Sequence, residues 1–282
     1  EDLVPGWELT RREAKASFAN DDIYIEKLIE NPRHIEIQIL ADSLGNVVYL
    51  PERDCSIQRN NQKIIEESPS RANSDLLEKM YKSAVMCAKA CGYEGTGTVE
   101  LIVDKYDNYY FMEMNTRIQV EYPVTEMVTG INLIKEQIRI ASGLPLSVKQ
   151  EDVAANGHAI EVRVNAQNPY DDFRPSCGEI SFFLPPGGLD TRFETALYQG
   201  AKILPFYDSM MAKLIVKGST RMDAIKKLRR AVSETIIDGV PTNLGFIYAI
   251  LYDKDFILGN IDTNYVAHKE AELLESMHVT GE

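Results

Sequence analysis

One predicted hairpin could gather two carboxylates and an amide on a single face. Residues 98–114 have the pattern of two strands joined by a turn, and a turn centred on Tyr106-Asp107 places Glu100 opposite Glu113. A slip of one residue would place Glu100 opposite Asn115 instead. Glu113 and Asn115 share a face because side chains alternate along a strand. Either register therefore collects oxygen ligands on one side of the hairpin.

Such an acidic pair is expected to need a partner. Two carboxylates about 5 Å apart repel each other by about 3 kcal/mol at an effective dielectric constant near 20. Val99 and Leu101 are apolar neighbours of Glu100, so this face borders a core. A divalent cation would turn the repulsion into attraction, and magnesium or manganese prefers carboxylate and amide oxygens. The alternative is a surface hairpin with unpaired acids.

The residues that follow Asn115 could hold a small anion. Arg117, Gln119 and Glu121 occupy alternate positions directly after the predicted strand. A guanidinium and an amide can bind an oxyanion, and a carboxylate beside a bound oxyacid can act as a general base. The alternative is a polar loop with a local Arg–Glu pair.

Other polar residues are weaker candidates. Lys63 lies in a loop rich in amide groups and could contact phosphate or carbonate, and Glu26 and Lys27 could present backbone groups to a purine edge. His34 lies on the polar face of a predicted strand and is read as a supporting residue. Arg163 lies on the polar face of the first predicted strand in a second, strand-rich part of the chain, where it could reach the site or form a plain surface pair.

The elements that would position these residues follow from hydrophobic periodicity. Residues 34–40 alternate strictly and predict a half-buried strand, whereas residues 51–73 are dense in charge and predict an irregular segment. Residues 143–157 read as a linker between two domains. The predicted helices cover 8–19, 74–91, 125–142, 220–237 and 243–252, and the predicted strands cover 23–29, 34–40, 47–50, 98–103, 109–114, 158–165, 180–184 and 212–216.

Composition narrows the class of protein. The 282 residues carry 30 Lys and Arg against 43 Asp and Glu, a formal net charge of −13 with no basic block, which argues against a nucleic-acid partner. No apolar run approaches the roughly 18 residues of a membrane span. The four cysteines predict free thiols in a reducing cytosol, so we expect a cytoplasmic protein of about two domains.

Several contiguous motifs resemble one family. These segments together span nearly the whole chain, and the longest, Glu-Met-Asn-Thr-Arg-Ile-Gln-Val-Glu, contains the residues already singled out. They resemble biotin carboxylase, an ATP-grasp enzyme, and more narrowly the biotin carboxylase subunit of bacterial acetyl-CoA carboxylase. The matching segments are 30–38, 52–59, 62–63, 113–121, 123–130, 157–163, 207–210, 238–239 and 242–243.

The resemblance implies an activity and a fold. The activity is ATP-dependent carboxylation of protein-linked biotin with bicarbonate through carboxyphosphate, the first half-reaction on the way to malonyl-CoA and fatty acids. The implied partners are a biotin carboxyl carrier protein, carboxyltransferase subunits and a second copy of the chain. The implied fold is α+β: residues 1–150 are the C-terminal part of an ATP-grasp domain, an antiparallel sheet with flanking helices, and residues 155–282 are the biotin carboxylase C-terminal domain.

The resemblance also implies roles for single positions. Magnesium or manganese would be bound by Glu100, Glu113 and Asn115. Bicarbonate would be bound by Lys63, Arg117, Gln119 and the Val120 backbone, with Glu121 as the base that deprotonates it. Arg163 would bind biotin and steady its developing enolate oxygen, and Arg192 would lie at a homodimer interface. The nucleotide pocket would be lined by Glu26, Lys27, Ile29, His34, Gln58 and Asn61, together with the two metal-binding glutamates.

Two other functions are consistent with the same residues, and the resemblance also implies that the chain is a fragment. The same site would serve the carboxylase portion of a pyruvate, propionyl-CoA or urea carboxylase. From a different class, the chain could be a non-catalytic module for metal binding or dimerisation. The family has a glycine-rich loop and two lysines that grip the nucleotide, and no glycine-rich run precedes Asp22. The chain is therefore expected to be a C-terminal fragment with little turnover of its own.

Overall fold

The computed structural model describes residues 2–279, which form two compact units divided after Glu30. In the first unit, helix α1 (Leu3–Phe18) ends at Ala19, which has a left-handed φ of 57°. The rest of this unit has no regular structure, so the predicted strand at 23–29 is wrong. A strand needs the backbone groups of a neighbouring strand, and none lies among residues 2–30.

The second unit contains the remaining helices and all the strands of the described residues. A short 3-10 helix also occupies Gln150–Asp152. The helices are α2 (Ser74–Ala90), α3 (Tyr122–Thr129), α4 (Leu133–Ala141), α5 (Arg221–Glu234), α6 (Leu244–Tyr252), α7 (Lys254–Leu258) and α8 (Tyr265–Val279). The strands are β1 (Arg33–Ala41), β2 (Val47–Tyr49), β3 (Arg53–Arg59), β4 (Gln62–Ser68), β5 (Gly95–Val103), β6 (Tyr109–Asn115), β7 (His158–Asn165), β8 (Gln167–Asn168), β9 (Arg174–Pro175), β10 (Gly178–Glu179), β11 (Phe182–Leu184), β12 (Thr191–Thr195), β13 (Lys202–Ile203), β14 (Met210–Gly218) and β15 (Ile236–Asp238).

Nine of these strands form one antiparallel sheet. Its order is β12-β14-β7-β4-β3-β1-β5-β6, and β2 pairs with β1 at one end of that strand. The other strands form three two-stranded ribbons, β8–β9, β10–β13 and β11–β15. The sheet includes strands from both sides of the predicted linker 143–157, because β4 pairs directly with β7. The domain boundary near residue 150 stays a prediction.

Strand β1 is buried on both faces, not on one as its alternation predicts. Ile35, Ile37 and Ile39 pack with α2 in an apolar cluster. Glu36 and Gln38 point to the opposite face and have no exposed surface. The polar face is buried because other polar side chains cover it, and a hydrophobic pattern alone cannot distinguish such a face from one that meets solvent.

Residues 53–68 form a hairpin where the sequence predicted an irregular segment. The turn between β3 and β4 is made by Asn60 and Asn61, whose φ angles are 50° and 62°. Two successive positive φ angles are typical of the type I′ turn that joins hairpin strands, and asparagine tolerates them. The strand pattern was hidden because Asp54, Ser56 and Glu66 are polar yet buried.

The long helix predicted at 125–142 is two helices. Gly130 ends α3 with a left-handed φ of 74°, and the Asn132 side chain accepts a hydrogen bond from the Lys135 backbone N–H to begin α4. Similarly, α5 ends at Glu234, so the last residues of the helix predicted to reach 237 belong to β15.

Helices cover both faces of the sheet near β7. On one face, α5, α6 and α8 bury Ile160 and Val162 in the largest apolar cluster. On the other face, Val124 and Val128 of α3 pack on Ala159. The α+β class with a mainly antiparallel sheet and flanking helices is confirmed. None of the described helices is both long enough and apolar enough to cross a membrane.

Candidate functional site

The β5–β6 hairpin has the first of the two predicted registers. Glu100 lies directly opposite Glu113, and Thr98 lies opposite Asn115. The Asn115 Nδ2 donates to Oε1 of Glu100 and to Oε1 of Glu113, each at 2.9 Å. The two carboxylates therefore lie on the same side of the hairpin and share one amide.

Hydrogen bonds and nearby cations keep Glu100 ionised. Its Oε2 lies 3.0 Å from Nε2 of His34, and its Oε1 accepts from Nε2 of Gln119 at 2.5 Å. Burial alone would raise the pKa of Glu100, but the His34 contact and the Lys63 charge lower it to about 2. His34 is in turn placed by Gln58, whose Nε2 lies 2.8 Å from its Nδ1. The carboxylate is thus ready to bind a cation over a wide pH range.

Glu121 lies between two cations. Its Oε1 accepts from Nζ of Lys63 at 2.6 Å, and its Oε2 accepts from Nη2 of Arg163 at 3.1 Å. Lys63 also pairs with Glu36. Burial would lower the pKa of Lys63, but the surrounding acidic groups raise it, so this side chain stays charged. Arg163 belongs to the site and is not a plain surface pair.

A buried arginine that the sequence analysis did not single out organises the floor of the site. Arg53 has no exposed surface. Its Nε and Nη2 donate to Glu36 at 3.1 and 2.9 Å, its Nη1 donates to Gln38 at 2.8 Å, and its Nη2 donates to Oε1 of Gln119 at 2.8 Å. Because the Gln119 amide is held at both ends, by Arg53 and Glu100, its orientation is fixed. No local pattern in the sequence marks Arg53, since its partners come from distant strands.

One open cavity of about 490 Å³ collects most of the predicted residues. Its lining also includes residues without a predicted role, of which Asp208, Ser209 and Met210 belong to a motif that carried the resemblance. The predicted residues in its lining are His34, Gln58, Asn61, Lys63, Glu100, Glu113, Asn115, Arg117, Gln119, Val120, Glu121 and Arg163, and the unpredicted ones are Gln62, Met112, Asn165, Asp208, Ser209 and Met210.

Three predicted nucleotide-pocket residues lie in the first unit. Glu26 and Lys27 are exposed and Ile29 is half-buried, all in the irregular segment after α1. Their contact with nucleotide stays a prediction. Arg192 lies on β12, where its Nη1 donates to Glu126 at 2.7 Å and it also pairs with Glu194.

Arg117 is the cation best placed to receive an anion. It is exposed, and within residues 2–279 its guanidinium donates only to the carbonyl oxygen of Ile118, at 3.3 Å. The neighbouring Val120 carbonyl is occupied by Nζ of Lys213 at 2.8 Å. A guanidinium without a carboxylate partner beside Lys63 and Gln119 suits a small oxyanion.

The donor set fits a magnesium or manganese ion. Glu100 and Glu113 offer carboxylate oxygens next to the amide of Asn115, and this face opens to the cavity. Magnesium usually binds one or two carboxylates and completes its shell with water and phosphate oxygens. Glu113 is exposed, so its carboxylate can reach an ion whose remaining ligands are water and phosphate.

Comparison with known proteins finds two family models, one for each part of the chain. Residues 1–149 match the family described as carbamoyl-phosphate synthase L chain, ATP binding domain, and residues 161–268 match the biotin carboxylase C-terminal domain. Biotin carboxylase 1 of Bacillus subtilis is 54% identical over 94% of this chain and 60% of its own length. A pyruvate carboxylase subunit of Methanothermobacter thermautotrophicus is 48% identical over 94% of this chain and 54% of its own.

A solved structure agrees in three dimensions. The biotin carboxylase domain dimer of the Hydrogenobacter thermophilus 2-oxoglutarate carboxylase, in complex with MgADP, ADP and bicarbonate, has a TM-score of 0.93 and 45% identity, covering 96% of this chain and 60% of that one. The chain thus spans 54–60% of the length of these relatives. From the two domain matches and the shared structure, the chain belongs to the biotin carboxylase family, with an ATP-grasp part followed by the family's C-terminal domain.

Proposed function

We propose that the site carries out ATP-dependent carboxylation of carrier-linked biotin with bicarbonate. The observation that supports this most directly is Glu121, which contacts Lys63 through one oxygen and Arg163 through the other. The same cavity contains the Glu100–Glu113 pair. Joining bicarbonate to a phosphoryl group requires a base, cations that hold the anions, and groups that bind a metal ion. Glu121 between two cations, beside the Glu100–Glu113 pair, would supply all three.

Bicarbonate would bind between Arg117, Lys63 and Gln119, next to the Val120 backbone. Charge attraction holds the anion against the guanidinium, and the fixed Gln119 amide orients it. Glu121 would then accept the bicarbonate proton, because its carboxylate faces the same cavity. The resulting nucleophilic oxygen attacks the terminal phosphorus of ATP, and carboxyphosphate and ADP are formed.

Glu100, Glu113 and Asn115 would hold magnesium or manganese, and Asn115, whose Nδ2 donates to both carboxylates, would also keep the two acids together. When bound, the metal supplies positive charge that neutralises the phosphate oxygens of ATP. His34, Gln58 and Asn61 line the same cavity and would contact the nucleotide, as the family resemblance implies.

Arg163 would act in the second stage, when carboxyphosphate breaks down to carbon dioxide and phosphate, the phosphate accepts the N1 proton of biotin, and N1 captures the carbon dioxide. Its guanidinium is held by Glu66 at 2.6 Å and by Glu121, and it borders the cavity. A fixed cation at this place can stabilise the negative oxygen that develops on biotin when N1 loses its proton.

The acceptor and the partners belong to the same proposal. We propose a role in acetyl-CoA carboxylase with a biotin carboxyl carrier protein and carboxyltransferase subunits, because the first relatives are named biotin carboxylase. The related pyruvate carboxylase from Methanothermobacter makes another acyl acceptor the alternative. A homodimer is supported by the dimeric Hydrogenobacter structure. Arg192→Glu should then weaken dimerisation in sedimentation velocity, whereas the exposed Arg174→Glu should not.

The reaction is tested by ATP cleavage that depends on bicarbonate and biotin. Glu121→Gln removes the base and should lower that rate about 100-fold or more. Glu151→Gln, an exposed acid of the 3-10 helix, is the matched control. A variant at Glu121 as active as the control would contradict the proposal. We also propose that the 282 residues alone turn over slowly, and near-normal turnover would refute that part only.

Titration calorimetry separates a ligase from a non-catalytic module. Magnesium is titrated into the chain with and without ATP. If the site is that of a ligase, ATP tightens magnesium binding, and Glu113→Gln abolishes the tightening while Glu121→Gln preserves it. If nucleotide leaves magnesium binding unchanged, the chain is a metal-binding or dimerisation module.

A further inference from the structure

Two glutamates face each other beneath the site. Glu66 of β4 and Glu161 of β7 are direct register partners in the antiparallel sheet, and neither has any exposed surface. Side chains of such partners have Cβ atoms only about 4.5–5.5 Å apart. Helix α3 covers this face of the sheet, so the two carboxyl groups are enclosed.

The two carboxyl groups have too few donors for two negative charges. Oε1 of Glu66 accepts from Nε of Arg163 at 2.6 Å. Oε2 of Glu66 and both oxygens of Glu161 have no hydrogen-bond partner among residues 2–279. Leaving two ionised carboxylates buried without donors costs far more than protonating one of them.

The charged groups around Glu161 come from every element packed against it. They are Glu66 on β4, Arg163 on its own strand, Lys213 on β14 and Glu121 at the start of α3. The Lys213 ammonium is already engaged, because its Nζ donates to the Val120 carbonyl and pairs with Glu194, each at 2.8 Å. Arg163 is shared between Glu66 and Glu121. Lys63, which also acts on Glu66, is engaged by Glu36 and Glu121, so no neighbouring cation among residues 2–279 is free to neutralise Glu161.

We propose that Glu161 is kept as a neutral acid whose O–H donates to the free oxygen of Glu66, and that this proton-sharing pair is a positioning device for Arg163. The pair then carries a single negative charge, which Arg163 balances while its Nη2 stays directed at Glu121. This role for Arg163 rests on the proposed function, but the shared proton does not. The proton stays within the pair and no bond of the substrate is involved.

The electrostatics agree with this arrangement. Burial and the neighbouring Glu66 raise the pKa of Glu161 well above its ordinary value. Burial also raises the pKa of Glu66, to about 6, although Arg163 acts against the rise. The two groups titrate as a pair, and Glu161 holds the proton because Glu66 is the one bound to the guanidinium. If the pair lost its proton, the second negative charge would draw Arg163 away from Glu121.

Infrared spectroscopy of the wild-type chain tests the proton directly. At neutral pH we expect the carbonyl band of a protonated carboxylic acid, sensitive to deuterium exchange and to carbon-13 labelling of glutamate. Glu161→Gln should remove that band, whereas Glu234→Gln, at an exposed acid, should retain it. Absence of the band in the wild type at neutral pH would overturn the proposal.

Stability gives a second readout. A carboxyl group with a raised pKa in the folded state loses its proton more easily when the chain unfolds. Relative to Glu161→Gln, the unfolding equilibrium constant of the wild type should therefore rise by up to tenfold per pH unit above about pH 4.5. A constant ratio between the two proteins from pH 5 to 8 would mean that Glu161 is ionised, and would refute the shared proton.

The positioning role is tested at Glu66. Glu66→Gln keeps the shape but removes the charge that holds Arg163, so the biotin-dependent rate should fall at least tenfold with MgATP affinity unchanged. If the rate does not fall, the pair does not position Arg163. If the infrared band is present but ATP does not tighten magnesium binding in calorimetry, the proposed function fails and the shared proton stands.

Discussion

Replacing Arg53 with methionine removes the central cation of the site floor while roughly keeping its volume. The guanidinium is fully buried and donates to Glu36 through two nitrogens and to Gln38 and Gln119 through single bonds. Methionine offers none of these donors. Glu36, which is also fully buried, would then keep Lys63 as its main compensating charge.

The expected loss can be worked out from these contacts. Removing one partner of a buried ion pair costs about 3–5 kcal/mol. Lys63 still faces Glu36, which favours the lower end, but the neutral acceptors lose donors worth about 1 kcal/mol each. We therefore expect a loss of about 4 kcal/mol in the free energy of unfolding. A domain is stable by about 5–15 kcal/mol, so the variant should fold but with a much smaller margin.

Urea unfolding at pH 7 measures this loss, with Lys82→Met as the control because the Lys82–Glu78 pair is solvent-exposed. Burial would raise the pKa of Glu36, but Arg53 and Lys63 lower it to about 2, so this group stabilises the fold above its ordinary pKa. The loss should therefore be full above about pH 4.5 and shrink as the pH falls towards 2.

The double variant Arg53→Met with Glu36→Gln gives a further check. Its loss in the free energy of unfolding should be smaller than the sum of the losses of the two single variants. A loss below about 1 kcal/mol for Arg53→Met alone would refute the reasoning, because Glu36 would then not depend on this cation.

Three further predictions concern the stability of the fold at low pH, magnesium binding by the Glu100–Glu113 pair and the turn between β3 and β4. Burial would raise the pKa of Glu67, but His158 and Arg221 lower it to about 2, so about 3 kcal/mol of stability should be lost as the pH falls from 4.5 to 2. Arg221→Met should flatten that part of a urea-unfolding series. Glu113→Gln should weaken magnesium binding in the presence of ATP by at least tenfold in calorimetry, while the exposed Glu94→Gln should match the wild type. Asn60→Val should lower the free energy of unfolding by about 1–3 kcal/mol, because a β-branched residue is strained at a φ of 50°. Asn60→Gly, which has no such strain, should change stability by less than half as much.

The site hairpin was predictable because its information is local. Alternation along about fifteen consecutive residues predicts that Glu100 and Glu113 share a face. The turn alone would continue the pairing of Leu101 with Phe111, and a β-bulge between Glu100 and Leu101, which the sequence did not predict, brings Glu100 opposite Glu113. The motif 113–121 likewise places its alternating polar residues in one cavity, because the chain runs directly off β6.

The β3–β4 hairpin was missed because its buried side chains are polar. Strand prediction treats a high density of charged residues as a sign of exposure to solvent. Here Glu36, Arg53 and Glu66 are fully buried on three strands, with Glu36 paired with Arg53 and Glu66 paired with Arg163. That compensation depends on neighbours far apart in the chain, which no window along the sequence contains. The strand predicted at 23–29 fails for the converse reason, since its β-branched residues have no strand to pair with in their own unit.

The β4–β7 pairing has a consequence for how the two family segments can be handled. Ile65 to Ser68, within the first matched segment, share a hydrogen-bond ladder with residues 159–162, and the second matched segment begins at residue 161. Cutting the chain in the loop between the two segments and separating the parts would break these hydrogen bonds. The backbone N–H and C=O groups of β4 and β7 would then be unpaired, and such edge strands tend to pair with other molecules. The two segments follow each other in the chain but share one sheet, so neither is expected to fold on its own.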